Sequence, residues 1–333
     1  MSNKKIVLIT GGAGFIGSHT VDLFLSKGFK VRVIDNLAGG NLDNLESQKN
    51  NKDLEFLKED ICKISVDHKI FKDVESIIHF AGIGDIVPSI ENPLKYFETN
   101  CLGTIKLLEA SRLNKIQRFV YAASSSCYGI AKTPTDEDHP INTMYPYALS
   151  KYQGEVSVFH WKKVYGLSVN SIRIFNAYGT RVKTTGAYGA VFGVFFKQKL
   201  SNSPLTIVGD GSQSRDFVYV TDVANAFFLA TQSSTDGEIF NLGSNNPQTI
   251  LKLAKLIGGS LEFIPKRPGE PDCTWANIDK IKRILNWSPS ISFEEGVNLM
   301  LKEINKWKDA PLWDKDKIKI ATEVWFKYMS GNR

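Results

Sequence analysis

The sequence predicts an α/β fold: a doubly wound, mainly parallel sheet with a smaller C-terminal α/β lobe. Short apolar strands alternate with amphipathic helical stretches up to about Asn176, the pattern that winds helices over both faces of a parallel sheet. A glycine-rich turn joins the first strand directly to the first helix. Beyond Asn176 the rhythm loosens into Gly-rich loops, "GTRVKTTGAYGAVFG" and "VGDGSQSRDF", with shorter strands.

In chain order the expected strands are "KIVLIT" (5–10), "KVRVID" (30–35), "LEFLKED" (54–60), "SIIHFAG" (76–82), "RFVYAAS" (118–124) and "SVNSIRI" (168–174). Each is a short Val-, Ile-, Leu- or Phe-rich run bounded by turn or helix signals. "GSHTVDLFLSKG" and "NCLGTIKLLEASRLN" carry apolar residues at helical spacing between them, and "SFEEGVNLMLKEINKWK" does so late in the chain. The expected division is a dinucleotide-binding domain over 1–176 and a mainly substrate-binding lobe over 177–333. The two interleave, because "FVYVTDVANAFFLAT" is apolar enough to rejoin the main sheet, giving a return over about 216–242.

Composition narrows the class. Of 333 residues, 42% are hydrophobic and 23% charged, which excludes disorder. The longest apolar runs, such as "AVFGVFF", are too short for a membrane span. The apolar run after the first lysines is too short for a signal peptide, so a cytoplasmic location is expected. The four cysteines form no C-x-x-C pair, which argues against a zinc site or a disulfide framework. The net charge of +6 is dispersed, without the dense basic run of a nucleic-acid binder, and suits a small anionic substrate.

The turn "ITGGAGFIG" sets Gly11, Gly14 and Gly17 in G-x-x-G-x-x-G spacing between strand and helix. The first permits a tight turn, the second lets a pyrophosphate approach the backbone, and the third lets the helix pack on the strand. Asp35 closes the second strand 18 residues beyond Gly17. A carboxylate there can accept both ribose hydroxyls and repel a 2′-phosphate, so a Rossmann-type site for NAD rather than NADP is expected. Asp60 and the "HFAG" stretch, Phe80 to Gly82, end the next two strands and are further candidates.

Two Y-x-x-x-K spacings occur, Tyr128 to Lys132 and Tyr147 to Lys151. The first contains Gly129 and runs into the turn-rich "TPTDEDHP"; the second follows Pro146, a good first helical residue, and continues in helical pattern. Only in the second do the two side chains share a helix face, with the ammonium beside the phenol. A cation there, reinforced by the positive nicotinamide ring, is expected to lower the phenol's pKa toward neutrality and make Tyr147 a usable base.

At these motifs the chain resembles the extended short-chain dehydrogenase/reductase superfamily, in its nucleotide-sugar epimerase and dehydratase branch, and is most similar to the UDP-glucose and UDP-N-acetylglucosamine 4-epimerases. The resemblance runs through "TGGAGFIG", "DN", "HFAG", "ETNCLGT", "SSSCYG", "YALSK", "RIFNAYG", "GDGSQSRDFVYVTD", "RPGEPD" and "ILNWSP", nearly the whole chain. It implies that Ser124, five residues before Gly129, shares a proton with Tyr147, and that Lys151 completes the catalytic group. The cofactor residues it implies are Gly11, Gly14, Phe15, Ile16, Gly17, Asp35, Asn36, Asp60, Ile61, Phe80, Ala81, Gly82 and Asn100, together with Tyr147 and Lys151. It implies a nucleoside diphosphate held by Asn176, Arg215 and Arg267, with Ser125, Ser126 and Thr274 on the sugar.

The same resemblance separates reactions. Dehydrating relatives carry Asp-Glu after the catalytic hydroxyl and decarboxylating ones a Glu, whereas this chain has Ser125 and Ser126. Neither exchanges protons near neutral pH, which leaves oxidation and return of hydride at a sugar carbon: inversion at C4 through a transient ketone. Thr274 falls at the family's gate beside the sugar C2 substituent, where a small residue admits N-acetyl groups. Gly84 stands where many galactose epimerases have a lysine, which leaves specificity open. A homodimer is implied through the helix after Asn100 and the one carrying "YALSK", with Leu107, Leu108, Val156 and Phe159 as apolar positions. The alternatives are another reaction of the same branch, such as one on UDP-glucuronate, a dehydrogenase that releases reduced cofactor, and a silent NAD-binding sensor.

Overall fold

The computed structural model describes residues 4–184 and 191–330. Seven strands form one sheet: β1 (Ile6–Thr10), β2 (Lys30–Asp35), β3 (Leu54–Lys58), β4 (Ser76–His79), β5 (Arg118–Ser124), β6 (Ser168–Ile174) and β11 (Glu238–Leu242), in the order β11-β6-β5-β4-β1-β2-β3. Every pairing in it is parallel. Successive residues of a strand face opposite ways, and the two faces feed two cores. Val7 and Ile9 of β1 join Val120 and Ile172 under α1 (Phe15–Ser26) and α7 (Val220–Gln232). Leu8, Ile77 and Phe119 join the other face under α4 (Gly103–Leu113) and α5 (Pro146–Tyr165). The order reverses between β1 and β4, and at such a switch point the carboxyl ends of the strands splay into a crevice.

The segment at 217–231 rejoins the first domain differently from the sequence expectation. Only Phe217–Tyr219 is a strand, β10, and it pairs with β7 (Asn176–Tyr178) outside the main sheet. The remainder is α7, whose Val223, Ala226, Phe227 and Ala230 pack on the sheet face. A helix buries this apolar stripe better than a strand would, and the seventh strand is supplied by β11.

The second lobe gathers α6 (Val191–Leu200), β8 (Leu205–Val208), α8 (Ile250–Ile257) and α10 (Phe293–Lys302) around Phe195, Phe196, Leu253 and Trp307. Around it lie β9 (Ser214–Arg215) with β12 (Gln248–Thr249), β13 (Leu261–Ile264) beside β8, and α9 (Asp279–Leu285). Asp222 of α7 fastens the lobes: its carboxylate accepts from the Ser290 and Ile291 amides, and its carbonyl accepts from Trp287 Nε1. Above the crevice stand α2 (Ile86–Glu91), α3 (Pro93–Phe97) and a π-helical turn, Glu98–Leu102, that leads into α4. The final helix, α11 (Lys315–Met329), returns to pack on α2.

Leu107 and Leu108, expected at a dimer interface, are fully enclosed in the monomer core, because they sit on the face of α4 that meets the sheet. Among the described residues no helix is long and apolar enough to cross a membrane, and no cluster of metal-binding side chains occurs.

Candidate active site

The turn between β1 and α1 is bare backbone by necessity. A methyl at Gly17 would lie 2.1 Å from the Gly11 carbonyl oxygen, and one at Gly11, which has φ +69°, would lie 2.7 Å from the Ala81 nitrogen. The first turn of α1, opened by Phe15 and Ile16, contains no acidic residue, so the helix N-terminus presents unopposed positive potential. This cradle fits a diphosphate. Asp35, at the end of β2, accepts from the Ala13 and Leu37 amides, one on each oxygen, and burial pushes its carboxyl up against those two bonds. Each oxygen keeps a lone pair for a ribose hydroxyl.

The other cofactor candidates line the same edge. Asn36 donates to Asp60, and Asp60 accepts the Cys62 amide; burial tends to raise the Asp60 carboxyl, but these bonds hold it below its ordinary value. Ile61 is buried under Gly103, and Phe80 packs 4.4 Å from Phe227. Ala81 donates to Thr10 Oγ1, and Gly82 lies against the Asn100 amide oxygen. Asn100, buried in the π-helical turn, accepts from the Ile83 amide and donates to the Ile83 carbonyl and to Ser150 Oγ, which in turn donates to the Tyr147 carbonyl. The turn that ends β4 is thereby pinned to the start of α5.

Pro146 opens α5, and Tyr147 and Lys151 follow one turn apart on the face toward the crevice. Ser124 closes β5 beside them, and its hydroxyl hydrogen-bonds the Tyr147 phenol. Burial nevertheless leaves that phenol above its ordinary value, with the Asp85 charge adding to the rise. The protein groups alone thus hold the phenol up, burial outweighing the Ser124 hydrogen bond, and the expected lowering needs the positive nicotinamide ring as well as Lys151. Lys151 is itself desolvated, which lowers it to about 7 against the opposing pull of Glu155. Its Nζ lies 4.3 Å above the Tyr121 ring.

Tyr128, the alternative tyrosine, is committed elsewhere. Its hydroxyl donates to Asn241 Oδ1 and accepts from Arg173, which also pairs with Glu155 at 2.6 Å in a fully buried bridge. Lys132 is exposed.

At the substrate end, Glu270 pairs with both Arg215 (2.8 Å) and Arg267 (2.9 Å). Glu270 also lines a cleft of about 400 Å³ with Val208, Gln213 and Lys266. Thr274 donates to Asn176 Oδ1 at 2.7 Å and accepts from the Asp216 amide. Ser125 is half-buried in the short helix after β5, and the Ser126 side chain bonds the phenol of Tyr145. Gly84 faces open space.

Sequence reasoning missed Glu270, Glu155 and Tyr145. Glu270 sits inside the quoted "RPGEPD", and Glu155 lies four residues beyond Lys151 on the same helix, so both had a local signal. Tyr145 precedes Pro146, but one of its partners, Trp325 of α11, is distant in sequence.

Residues 8–300 match the family described as GDP-mannose 4,6 dehydratase. A provisionally named UDP-glucose 4-epimerase of Methanocaldococcus jannaschii is 38% identical over 91% of this chain and 98% of its own. Among solved structures, the UDP-N-acetylglucosamine 4-epimerase of Methanobrevibacter ruminantium, in complex with UDP-N-acetylmuramic acid, superposes with a TM-score of 0.84 at 30% identity, over 90% of this chain and 99% of that one. The UDP-glucuronic acid 4-epimerase of Bacillus cereus, with UDP-glucuronic acid and NAD, gives the same TM-score, identity and coverage.

The burial of Lys151 makes a stability prediction. Its folded pKa, about 7, lies below its ordinary 10.5, so the unfolded chain binds the extra proton. The penalty is complete below the folded value, fades as pH rises between the two, and vanishes above the higher one. Lys151→Met should therefore be more stable than the parent by about 2–4 kcal/mol at pH ~6, with the difference closing toward pH ~10. Urea unfolding of both proteins at the two pH values checks it; a gap that widens with pH contradicts it.

Proposed function

We propose that this chain, which belongs to the nucleotide-sugar family described as GDP-mannose 4,6 dehydratase, is an NAD-dependent 4-epimerase of UDP-sugars that acts in the cytoplasm. The observation that carries the reading is the group Ser124, Tyr147 and Lys151 at the mouth of the glycine cradle, with serines in the two positions after Ser124. Residues 1–176, with the return at 216–242, make up the cofactor half, and 177–333 mainly the substrate lobe.

NAD, which the glycine turn and Asp35 would hold, would supply the hydride acceptor and donor that inversion at the sugar C4 requires. The chain's own residues do the rest. Tyr147, as a phenolate favoured by the Lys151 charge and by the positive ring NAD would bring, receives the C4 hydroxyl proton and later returns it, with Ser124 sharing it through their hydrogen bond. Lys151, near its midpoint, stabilises the phenolate when charged. Arg215 and Arg267 exchange Glu270 for the diphosphate, a bidentate acceptor that suits their planar forks. Holding the nucleotide alone leaves the ketosugar free to turn over before the hydride returns. Elimination of water or carbon dioxide would need an acid or base at Ser125 or Ser126, and a seryl hydroxyl is neither near neutral pH.

Thr274 is the sugar gate of this reading. Its hydroxyl is already bonded to Asn176 and Asp216, so its small volume is what it offers the sugar. Two copies pair through α3 to α5, where Leu94, Leu102, Leu149 and Val156 are exposed apolar residues in the monomer; Phe159 instead packs partly against its core.

Three measurements test these assignments. Tyr147→Phe should keep its fold and cofactor yet lose about a thousandfold or more in kcat, since the one positioned base is gone. A near-normal rate, with Tyr128→Phe inactive, would transfer the role to the other tyrosine. Wild-type protein should convert UDP-N-acetylglucosamine at least as well as UDP-glucose, and Thr274→Tyr should abolish the first activity while sparing the second. An equal loss on both removes the gate, and Thr274→Val separates the hydroxyl's bonds from its size. Light scattering at micromolar concentration should report a dimer, and a monomer would contradict the apolar helix pairing.

A further inference from the structure

Helix α11 lies beyond residue 300, where the match to the family ends. An appended helix commonly buries one continuous apolar stripe. This one buries Ile318, Thr322 and Trp325, a single face at i, i+4, i+7 spacing, and leaves Ile320 and Tyr328 exposed. The two apolar members go to opposite ends of the substrate crevice. Ile318 packs with Val208 and Ile264, and Val208 is a wall of the cleft beside Glu270. Trp325, two turns and about 10 Å farther along the helix, reaches the catalytic end. Its Nε1 donates to the Pro268 carbonyl at 2.7 Å, and its ring lies 5.8 Å from that of Tyr145.

Both contacts lead to functional side chains. Pro268 stands between Arg267 and Gly269, and Gly269 has φ +71° and is enclosed by Met144 and Met329: a methyl there would lie 3.3 Å from one and 3.5 Å from the other. The next residue, Glu270, bridges the two arginines. Tyr145 lies parallel to Tyr147, with centroids 6.4 Å apart and planes 6° apart, and bonds Ser126 through its phenol.

We infer that α11 is a clasp across the sugar nucleotide, with Trp325 as a positioning residue that couples the arginine loop at 267–272 to Tyr147 through Tyr145. The inference rests on the proposed function and deepens it. Epimerisation needs a diphosphate held still while the sugar turns, and Trp325 touches the backbone of the loop that holds the first and the ring beside the base that acts on the second. Loosening it should weaken nucleotide binding and let the ketosugar leave before it is reduced.

The test uses the full chain and Trp325→Ala, Trp325→Phe and, as a control on the exposed face, Ile320→Ala. UDP binding is measured by calorimetry, kcat and KM on UDP-N-acetylglucosamine and UDP-glucose, and escaped ketosugar by borodeuteride trapping of the filtrate followed by mass spectrometry. Trp325→Ala should raise the UDP Kd and the KM by about tenfold or more and release trappable ketosugar. Trp325→Phe keeps a ring near Tyr145 but loses the bond to Pro268, so it should raise the UDP Kd with little change in kcat. Ile320→Ala should match wild type. A Trp325→Ala protein indistinguishable from Ile320→Ala overturns the clasp; if the alanine variant does not fold, an unchanged UDP Kd in Trp325→Phe overturns it. Wild type that binds UDP but epimerises neither sugar overturns the proposed function and leaves the Kd comparison to judge the clasp. Wild type that binds no UDP overturns both.

Discussion

The arrangement depends on keeping one lysine ammonium out of water. Lys151 is buried, and its remaining support is the face of Tyr121 and the charge of Glu155 one turn along α5. Glu155 is itself buried, so it needs a counter-charge, which Arg173 of β6 supplies. Arg173 is held by the hydroxyl of Tyr128, and Tyr128 by Asn241 of β11. A relay of buried polar groups therefore runs from the catalytic end of α5 across the sheet to its last strand. Each member is satisfied by the next, which is the condition for burying charge without unfolding. In the proposed reaction this burial, which lowers the lysine to about 7, sets it beside the phenol that takes and returns the proton.

The substrate end follows a different economy. Glu270 joins two arginines that would otherwise repel each other, and a diphosphate can replace it in kind. Asp216, wholly buried, accepts from the Ser244, Asn245 and Ala276 amides and so ties the residue after Arg215 to the segment that follows Thr274. In the proposed clasp, α11 joins this end to the Tyr147 end.

What the sequence made legible was local. The six strands, the glycine turn and the helix opening at Pro146 follow from short-range spacing and occur in the structure, with β3 and β4 ending at Lys58 and His79, short of the expected Asp60 and Gly82. The strand at 238–242 was not separable, because "EIFNL" carries a weak pattern and its partner, β6, lies far back in the chain. Leu107 and Leu108 were assigned to an interface because periodicity identifies an apolar face without saying what covers it. The burial that raises the Tyr147 phenol is not legible either, because i,i+4 spacing shows a neighbouring cation but not depth. Tyr145 and Trp325 are 180 residues apart, and nothing in either local context announces the other.

The central claim is that a hydride leaves C4 and returns to C4 of the same sugar. It is tested most directly with UDP-N-acetylglucosamine deuterated at C4, incubated with the purified protein in ordinary water without added cofactor, and read by NMR and mass spectrometry. The account predicts UDP-N-acetylgalactosamine with the deuterium still on C4 and no accumulation of reduced cofactor. Deuterium at C6 of a dehydrated product, or deuterium lost from the sugar as reduced cofactor builds up, would contradict it.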